Sequence, residues 1–257
     1  MDQHQIRGIF LDLGGTFRIV ENNVPYKTAA RRRIAQLVGT SLEPEAFHTL
    51  IEQRYETYRE WALHYMCEAP EGMLWTRWLA PEYDHDRLER NAVELTYELR
   101  HAKGERVVVE NGVRTVKTLV GRGYKVGVIS DLVGTKEVDE WLDQDGLRPY
   151  FCTVQQSSVT MLRKPHPAIY FLALAEAKLR PEECVFVGDN LQRDIIGAKA
   201  SNFGATIAVE YDASCPLKIT CENKPDGIVK RFDQLLDVFP QAPIMNFDAL
   251  EQRSAII

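Results

Sequence analysis

The stretch that decides the fold runs from residue 6 to residue 16: Ile6-Arg7-Gly8-Ile9-Phe10-Leu11-Asp12-Leu13-Gly14-Gly15-Thr16. Its apolar run, residues 6–13, suits a short strand buried on both faces, and the two glycines break it just past Asp12. Such a strand needs partners from elsewhere in the chain, and residues 104–239 offer them. Tyr124-Lys125-Val126-Gly127-Val128-Ile129 reads as a strand ending at Ser130. Tyr150-Phe151-Cys152-Thr153-Val154 is a second, Cys184-Val185-Phe186-Val187 a third ending at Gly188-Asp189, and Ala205-Thr206-Ile207-Ala208-Val209 a fourth. Helical patterns are predicted between them, near 112–122, 135–144, 166–178 and 192–201. This alternation predicts an α/β fold, a Rossmann-like, mostly parallel sheet with helices on both faces.

Between the first strand and this region the pattern changes. Residues 17–26 read as a small hairpin, Phe17-Arg18-Ile19-Val20, a turn at Glu21-Asn22-Asn23, then Val24-Pro25-Tyr26. Residues 27–103 show apolar residues at helical spacing, as in Phe47, Leu50, Ile51, Tyr55, Tyr58 and in Leu88, Ala92, Leu95, Leu99. About four helices are expected, packed as a bundle. Ser41, ahead of Glu43-Pro44-Glu45, and Asp84 or Asp86 are candidate helix starts. Trp61, Trp75 and Trp78 fall in this block and are assigned mainly to its core. The predicted division is therefore 1–22 with 104–240 as one α/β domain, 23–103 as a helical insertion, and 241–257 as a tail with no assigned structure.

The chain has 257 residues and a net charge of −6, with a pI near 5.6 and a mean hydropathy of −0.28. That charge argues against a general nucleic-acid or anionic-membrane binder. No apolar run reaches the roughly 18 residues of a membrane span, and Met1-Asp2-Gln3-His4-Gln5 lacks the layout of a signal peptide. Five cysteines, Cys67, Cys152, Cys184, Cys215 and Cys221, fit reduced thiols in the cytoplasm. Cys215 and Cys221 lack the further ligands a zinc site needs.

In an open parallel sheet, ligands bind beyond the carboxyl ends of the strands. Asp12, Ser130 and Asp189 stand at three such ends. Two carboxylates at close range repel unless something compensates them, and a divalent cation with oxygen ligands, Mg²⁺, is the simplest compensation. Lys164, in Arg163-Lys164-Pro165-His166-Pro167, precedes a helix in the same half and brings positive charge. His166 is read as a helix-start residue and Asp131 as a turn residue.

Asp12-Leu13-Gly14-Gly15-Thr16 behind an apolar strand resembles the first motif of the haloacid dehalogenase superfamily. Three further motifs follow in that family's order: the strand ending in Ser130, Lys164 in its Lys-Pro-x-Pro setting, and Val187-Gly188-Asp189-Asn190 with Asp194 and Gly197-Ala198. The match covers about two-thirds of the chain. The helical block resembles the cap that a phosphatase-type branch inserts between its first two motifs. The resemblance implies that Asp12 attacks phosphorus and forms an aspartyl-phosphate. It implies Mg²⁺ held by the Asp12 carboxylate, the Gly14 carbonyl and Asp189. Ser130 would bond a phosphoryl oxygen, Lys164 would pair with nucleophile and phosphate, and Asp194 would anchor the metal shell or Lys164. The implied substrate is a small phosphorylated metabolite, with neither nucleic acid nor membrane as a partner; oligomeric state is not legible.

The sequence departs from the family at Gly14, where its phosphatases usually carry a second aspartate that protonates the leaving oxygen. Such help is worth about 10²–10⁴ in rate. Four explanations stand: a substrate with a good leaving group; a residue reaching in from the cap, with Glu21, Tyr26, Lys27, His48 and His64 as unranked candidates; a slow enzyme; or a binding or regulatory module that keeps the metal and phosphate site without turnover. The triplet Arg31-Arg32-Arg33 points in different directions around a helix and is assigned to a solvated face.

Overall fold

The computed structural model describes residues 6–240; the polar N-terminus and the tail 241–257 lie outside them. Its centre is β1 (Gly8–Leu11), in a six-stranded sheet ordered β5-β4-β1-β6-β7-β8. The other strands are β4 (Lys125–Ser130), β5 (Phe151–Gln156), β6 (Cys184–Gly188), β7 (Ala205–Val209) and β8 (Gly227–Val229), and every pairing is parallel. The order reverses at β1, so β4 and β6 flank it and their carboxyl ends open beside Asp12.

The apolar run forms a strand because both faces find a core. Ile9 and Leu11 join Val126, Val128, Val185 and Val187 on one side, under α5 (Gly112–Gly121) and α6 (Lys136–Gln144). Phe10 points the other way, to Ile129, Phe186 and α8 (Pro167–Ala177). The alternation is the period-two signature of a strand. Gly127 makes room for Phe10, because a Cβ there would lie 2.8 Å from the Phe10 ring. Three shorter helices complete this part: α7 (Ser157–Thr160), α9 (Gly197–Ala200) after a π-helical turn over Leu191–Ile196, and α10 (Leu235–Val238).

The predicted hairpin at 17–26 is replaced by something else. Arg18–Glu21 forms β2, but its antiparallel partner is β3 (Glu105–Val108), from beyond the helical block. Val24-Pro25-Tyr26 instead begins α1 (Val24–Val38), with the Asn23 side chain accepting from the Tyr26 N–H. Asn before Pro is both a turn signal and a helix start, and here the cap wins. The two chain crossings of the insertion are thereby tied into one ribbon.

The insertion holds the expected four helical segments: α1, α2 (Pro44–Tyr65), α3 (Glu71–Met73) running into a π-helical turn over Leu74–Leu79, and α4 (His85–His101). They enclose their own apolar cluster around Ile34, Phe47, Ile51, Tyr58, Trp75, Leu88 and Leu95, with Trp61 and Trp78 packed on its edge. Asp84 caps α4 through the Arg87 N–H. Ser41 does not cap α2, whose first turn starts on Pro44 without a side-chain cap.

One loop of the insertion also reaches the sheet domain. Residues 66–68 run antiparallel to residues 161–163, with the Glu68 N–H donating to the Met161 carbonyl and the Arg163 N–H to the Met66 carbonyl, both at 3.0 Å. The Glu68 carboxylate is buried and accepts from the Tyr58 hydroxyl, the Ser157 hydroxyl and the Arg163 guanidinium.

Candidate active site

Four of the predicted residues meet at the strand tips. Ser130, the last residue of β4, donates its hydroxyl to Asp12 Oδ1 at 2.7 Å and sits 3.4 Å from the Leu13 N–H, which donates to it. Lys164 Nζ donates to Asp12 Oδ1 at 2.9 Å and to Asp194 Oδ1 at 2.6 Å. The Lys164–Pro165 peptide is cis. Lys164 is buried. Burial alone would lower its pKa, but Asp12 and Asp194 outweigh it and the net shift is upward. The attraction exceeds the desolvation cost, so the side chain stays an ammonium.

Asp194 spends both oxygens inside the protein, the second accepting from the Asn190 N–H at 2.9 Å. Asp189, one residue past β6, has a single hydrogen bond among the described residues, from the Thr16 hydroxyl at 3.2 Å. One oxygen each from Asp12, Asp189 and Asp194 lie within 4.8 Å of one another. Burial, reinforced by Asp12 and Asp194, pushes the Asp189 carboxyl up to about 7, and Lys164 and Arg193 offset this only in part. Burial also leads the rise of Asp194 to about 6, against the pull of Lys164. Two buried carboxylates and a half-buried one facing one ammonium leave negative charge uncompensated. An all-oxygen donor set of this kind fits a hard divalent cation. With Asp194 committed to Lys164 and Asn190, Asp12 and Asp189 are the pair with oxygens to spare.

The glycines around the site are there for close approach. Gly15 has φ +78°, and a Cβ on it would lie 2.4 Å from an Asp189 oxygen; a Cβ on Gly188 would lie 2.3 Å from Asp194. Gly14 differs, since a Cβ built on it meets nothing within 4 Å.

None of the five cap candidates bonds to Asp12, Ser130, Lys164 or Asp189. Glu21 is exposed at the end of β2. Tyr26 packs on His101, with ring centroids 4.8 Å apart. Lys27 donates to Asn22, His48 is buried among insertion residues beside Glu52, and His64 packs on Tyr65. In the Arg31–Arg33 triplet, Arg31 pairs with Glu45 and the other two are exposed. His166 is the N-cap of α8, as expected. Asp131 has more to do than a turn residue: it accepts from the Lys164 N–H at 2.8 Å, and Arg163 and Arg193 approach its other oxygen at 3.7 and 3.5 Å. It fixes the backbone from which the lysine projects. Its position directly after Ser130 was the available signal. Thr16 and Asn190 were inside the quoted motifs, but their bonds to the two aspartates were not foreseen.

A parallel sheet whose switch point presents a carboxylate held by a serine and a lysine defines an α/β protein with its site at the strand tips. Comparison with known proteins makes that specific: the chain belongs to the haloacid dehalogenase-like hydrolase family, whose sequence model matches residues 6–202. It is 27% identical over 241 residues to a glyceraldehyde 3-phosphate phosphatase of Pyrococcus furiosus, covering 91% of this chain and 93% of that one. It is 28% identical over 139 residues to a phosphoglycolate phosphatase of Pectobacterium atrosepticum, covering 53% and 56%. Among solved structures, a 2-haloacid dehalogenase from Pseudomonas syringae superposes with a TM-score of 0.68 at 19% identity, over 91% of this chain and 98% of that one. At that identity the likeness speaks for the fold.

Proposed function

We propose that this hydrolase is a Mg²⁺-dependent phosphatase of small phosphorylated metabolites, working through an aspartyl-phosphate on Asp12. The observation that carries the reading is the placement of Asp12. One of its oxygens is held by Ser130 and Lys164, while the carboxylate also borders the space it shares with Asp189. A carboxylate fixed through one oxygen is oriented for attack through the other. The names of the two phosphatase relatives, both specifying small phosphomonoesters, support the substrate class.

In the first step an Asp12 oxygen bonds to phosphorus, and the bond from phosphorus to the ester oxygen breaks. In the second, water attacks the phosphorus of the acyl phosphate, and phosphate leaves with Asp12 restored. Ser130 donates to a phosphoryl oxygen, and Lys164 holds the nucleophile and adds positive charge at the phosphate. Asp194 and the Asp131 carboxylate fix Lys164 from its ammonium and its backbone N–H. A Mg²⁺ held by Asp12, Asp189 and the Gly14 carbonyl would neutralise charge between nucleophile and phosphate. The helical insertion, 23–103, serves as the cap over the 1–22 and 104–240 domain, with the β2–β3 ribbon as its stem. Five free cysteines fit a reducing, cytoplasmic setting, and no helix among the described residues is long and apolar enough to cross a membrane.

The test is a panel of phosphorylated metabolites assayed for phosphate release with and without Mg²⁺. Release that requires Mg²⁺ is the expected result. Gly14, with no side chain beside the leaving group and no cap candidate in its place, favours one other reading, a module that binds phosphate and metal without turnover. Binding of both with no release from any member of the panel would establish that reading instead.

The raised carboxyl groups give a second check. In the metal-free protein Asp189 and Asp194 hold protons that the unfolded chain, with an ordinary aspartate value of 3.8, has already lost. The folded state thus binds more protons between about pH 4 and pH 7, and metal-free stability falls as pH rises through that window. Mg²⁺ binds the ionised carboxylates, so its stabilisation should grow over the same window. Calorimetric melting at about pH 5 and pH 8, with and without Mg²⁺, reads this directly; an equal Mg²⁺ shift at both pH values would argue against the assignment.

A further inference from the structure

Where the insertion meets the loop after β4, two guanidinium groups share one carboxylate. Arg100, near the end of α4, gives only its Nε to Glu137 of α6. Arg106, on β3, donates to the Arg100 carbonyl at 2.7 Å and approaches the other Glu137 oxygen at 3.8 Å. The side chains are 12% and 11% exposed. One positive charge is therefore left over in a largely buried place. The other carboxylates that act on Arg100 have partners of their own, Glu68 in Tyr58, Ser157 and Arg163 and one oxygen of Asp12 in Ser130 and Lys164. Among the described residues neither Arg100 Nη atom has a hydrogen-bond partner, and neither does the hydroxyl of Tyr55 on α2. Burial, together with Arg106, pushes the Arg100 guanidinium down to about 9, opposed by Tyr55, Glu68 and Asp12. Burial raises Tyr55, with Glu68 adding to the rise and Arg163 and Arg100 opposing it.

Arg100 also lies close to the reacting end of the sheet. A Cβ on Gly134 would sit 3.4 Å from Arg100 Cδ, and Gly134 is four residues past Ser130. At most about 14 Å of extended chain separates the two, and the folded loop spans less. A two- to four-carbon phosphate ester is shorter than this upper bound, so only the compact folded loop brings the two within its reach, and the length that fits is read by experiment.

We infer that Arg100, backed by Arg106, binds a second anionic group on the substrate, a carboxylate or phosphate on the alcohol portion. This rests on the phosphatase reading and narrows it to doubly anionic phosphomonoesters. A guanidinium with both terminal nitrogens free offers the fork that such groups accept, and two largely buried cations that share the single Glu137 carboxylate gain from a second anion.

Binding can be tested without turnover. Phosphonoacetate, 3-phosphonopropionate and 4-phosphonobutyrate are compared with alkylphosphonates of matched length, in Mg²⁺, by calorimetry. A parallel set of bisphosphonates separates carboxylate from phosphate as the preferred anion. At least one doubly anionic member should bind about 10- to 100-fold more tightly than its alkyl counterpart. Arg100→Gln should erase that preference, and Arg100→Lys should keep part of it. Equal affinities at every length in the unmodified protein, or a preference that survives Arg100→Gln, would overturn the inference while leaving the phosphatase reading intact. Failure of every phosphonate to bind would also overturn the inference, while the phosphatase reading stands or falls on phosphate release from the panel. The comparison within the unmodified protein needs no variant to fold.

Discussion

Asp12→Asn should remove phosphate release almost entirely, by about 10³–10⁵-fold, while the chain folds as before. The loss is large because the amide cannot form the acyl phosphate, and the remaining groups can only position substrate and stabilise charge. Folding should survive because the amide oxygen can still accept from Ser130 and Lys164, the two donors at Asp12 Oδ1. Lys164 keeps Asp194 as an anionic partner. The substitution also removes one of the negative charges that hold the Asp189 carboxyl high, so the metal-free variant should melt no lower than the parent. Initial rates on the best substrate of the panel, with melting curves alongside, decide it. A rate within tenfold of the parent would show that Asp12 is not the nucleophile.

Gly14→Asp should give the opposite result, a gain. The position has open space where a Cβ would go, and unlike Gly15 its backbone is not in the left-handed region. An aspartate there carries little steric cost and places a carboxyl group two residues past Asp12. Protonation of a leaving alkoxide by a placed acid contributes about 10²–10⁴. The gain should therefore appear on alkyl phosphates, whose leaving groups are poor. On p-nitrophenyl phosphate, whose phenolate leaves without help, the rate should change little. Comparing kcat/KM for the two substrate types in parent and variant tests this. Equal gains on both would mean that the added carboxylate acts on metal or substrate binding and not on the leaving group.

Much of this was legible because it depends on short, local chemistry. The run at 6–13 had to be a central strand, since Ile9, Phe10 and Leu11 are apolar on both faces, and the strand tips followed from it. Lys164 was legible through its setting of prolines. The hairpin at 17–26 was not, because Asn23 ahead of Pro25 serves a turn and a helix cap equally well. Its true partner, β3, lies beyond 80 residues of insertion, and a four-residue strand with charged Glu105 and Arg106 gives little signal. The site itself was read as far as the motif residues went. The Arg100–Arg106–Glu137 group was out of reach, because it arises where α4, β3 and α6 cross and no sequence spacing encodes that meeting. Nor could spacing show Glu68 against Arg163, two residues 95 positions apart.

That last contact changes how the helical block is mounted. A block joined only through the β2–β3 ribbon would be free to swing about it. The additional stitching of residues 66–68 to 161–163 adds a third point of attachment, one residue before Lys164. Any outward rotation must first break two backbone hydrogen bonds and strand a buried glutamate away from its arginine, so opening carries an energetic threshold of its own.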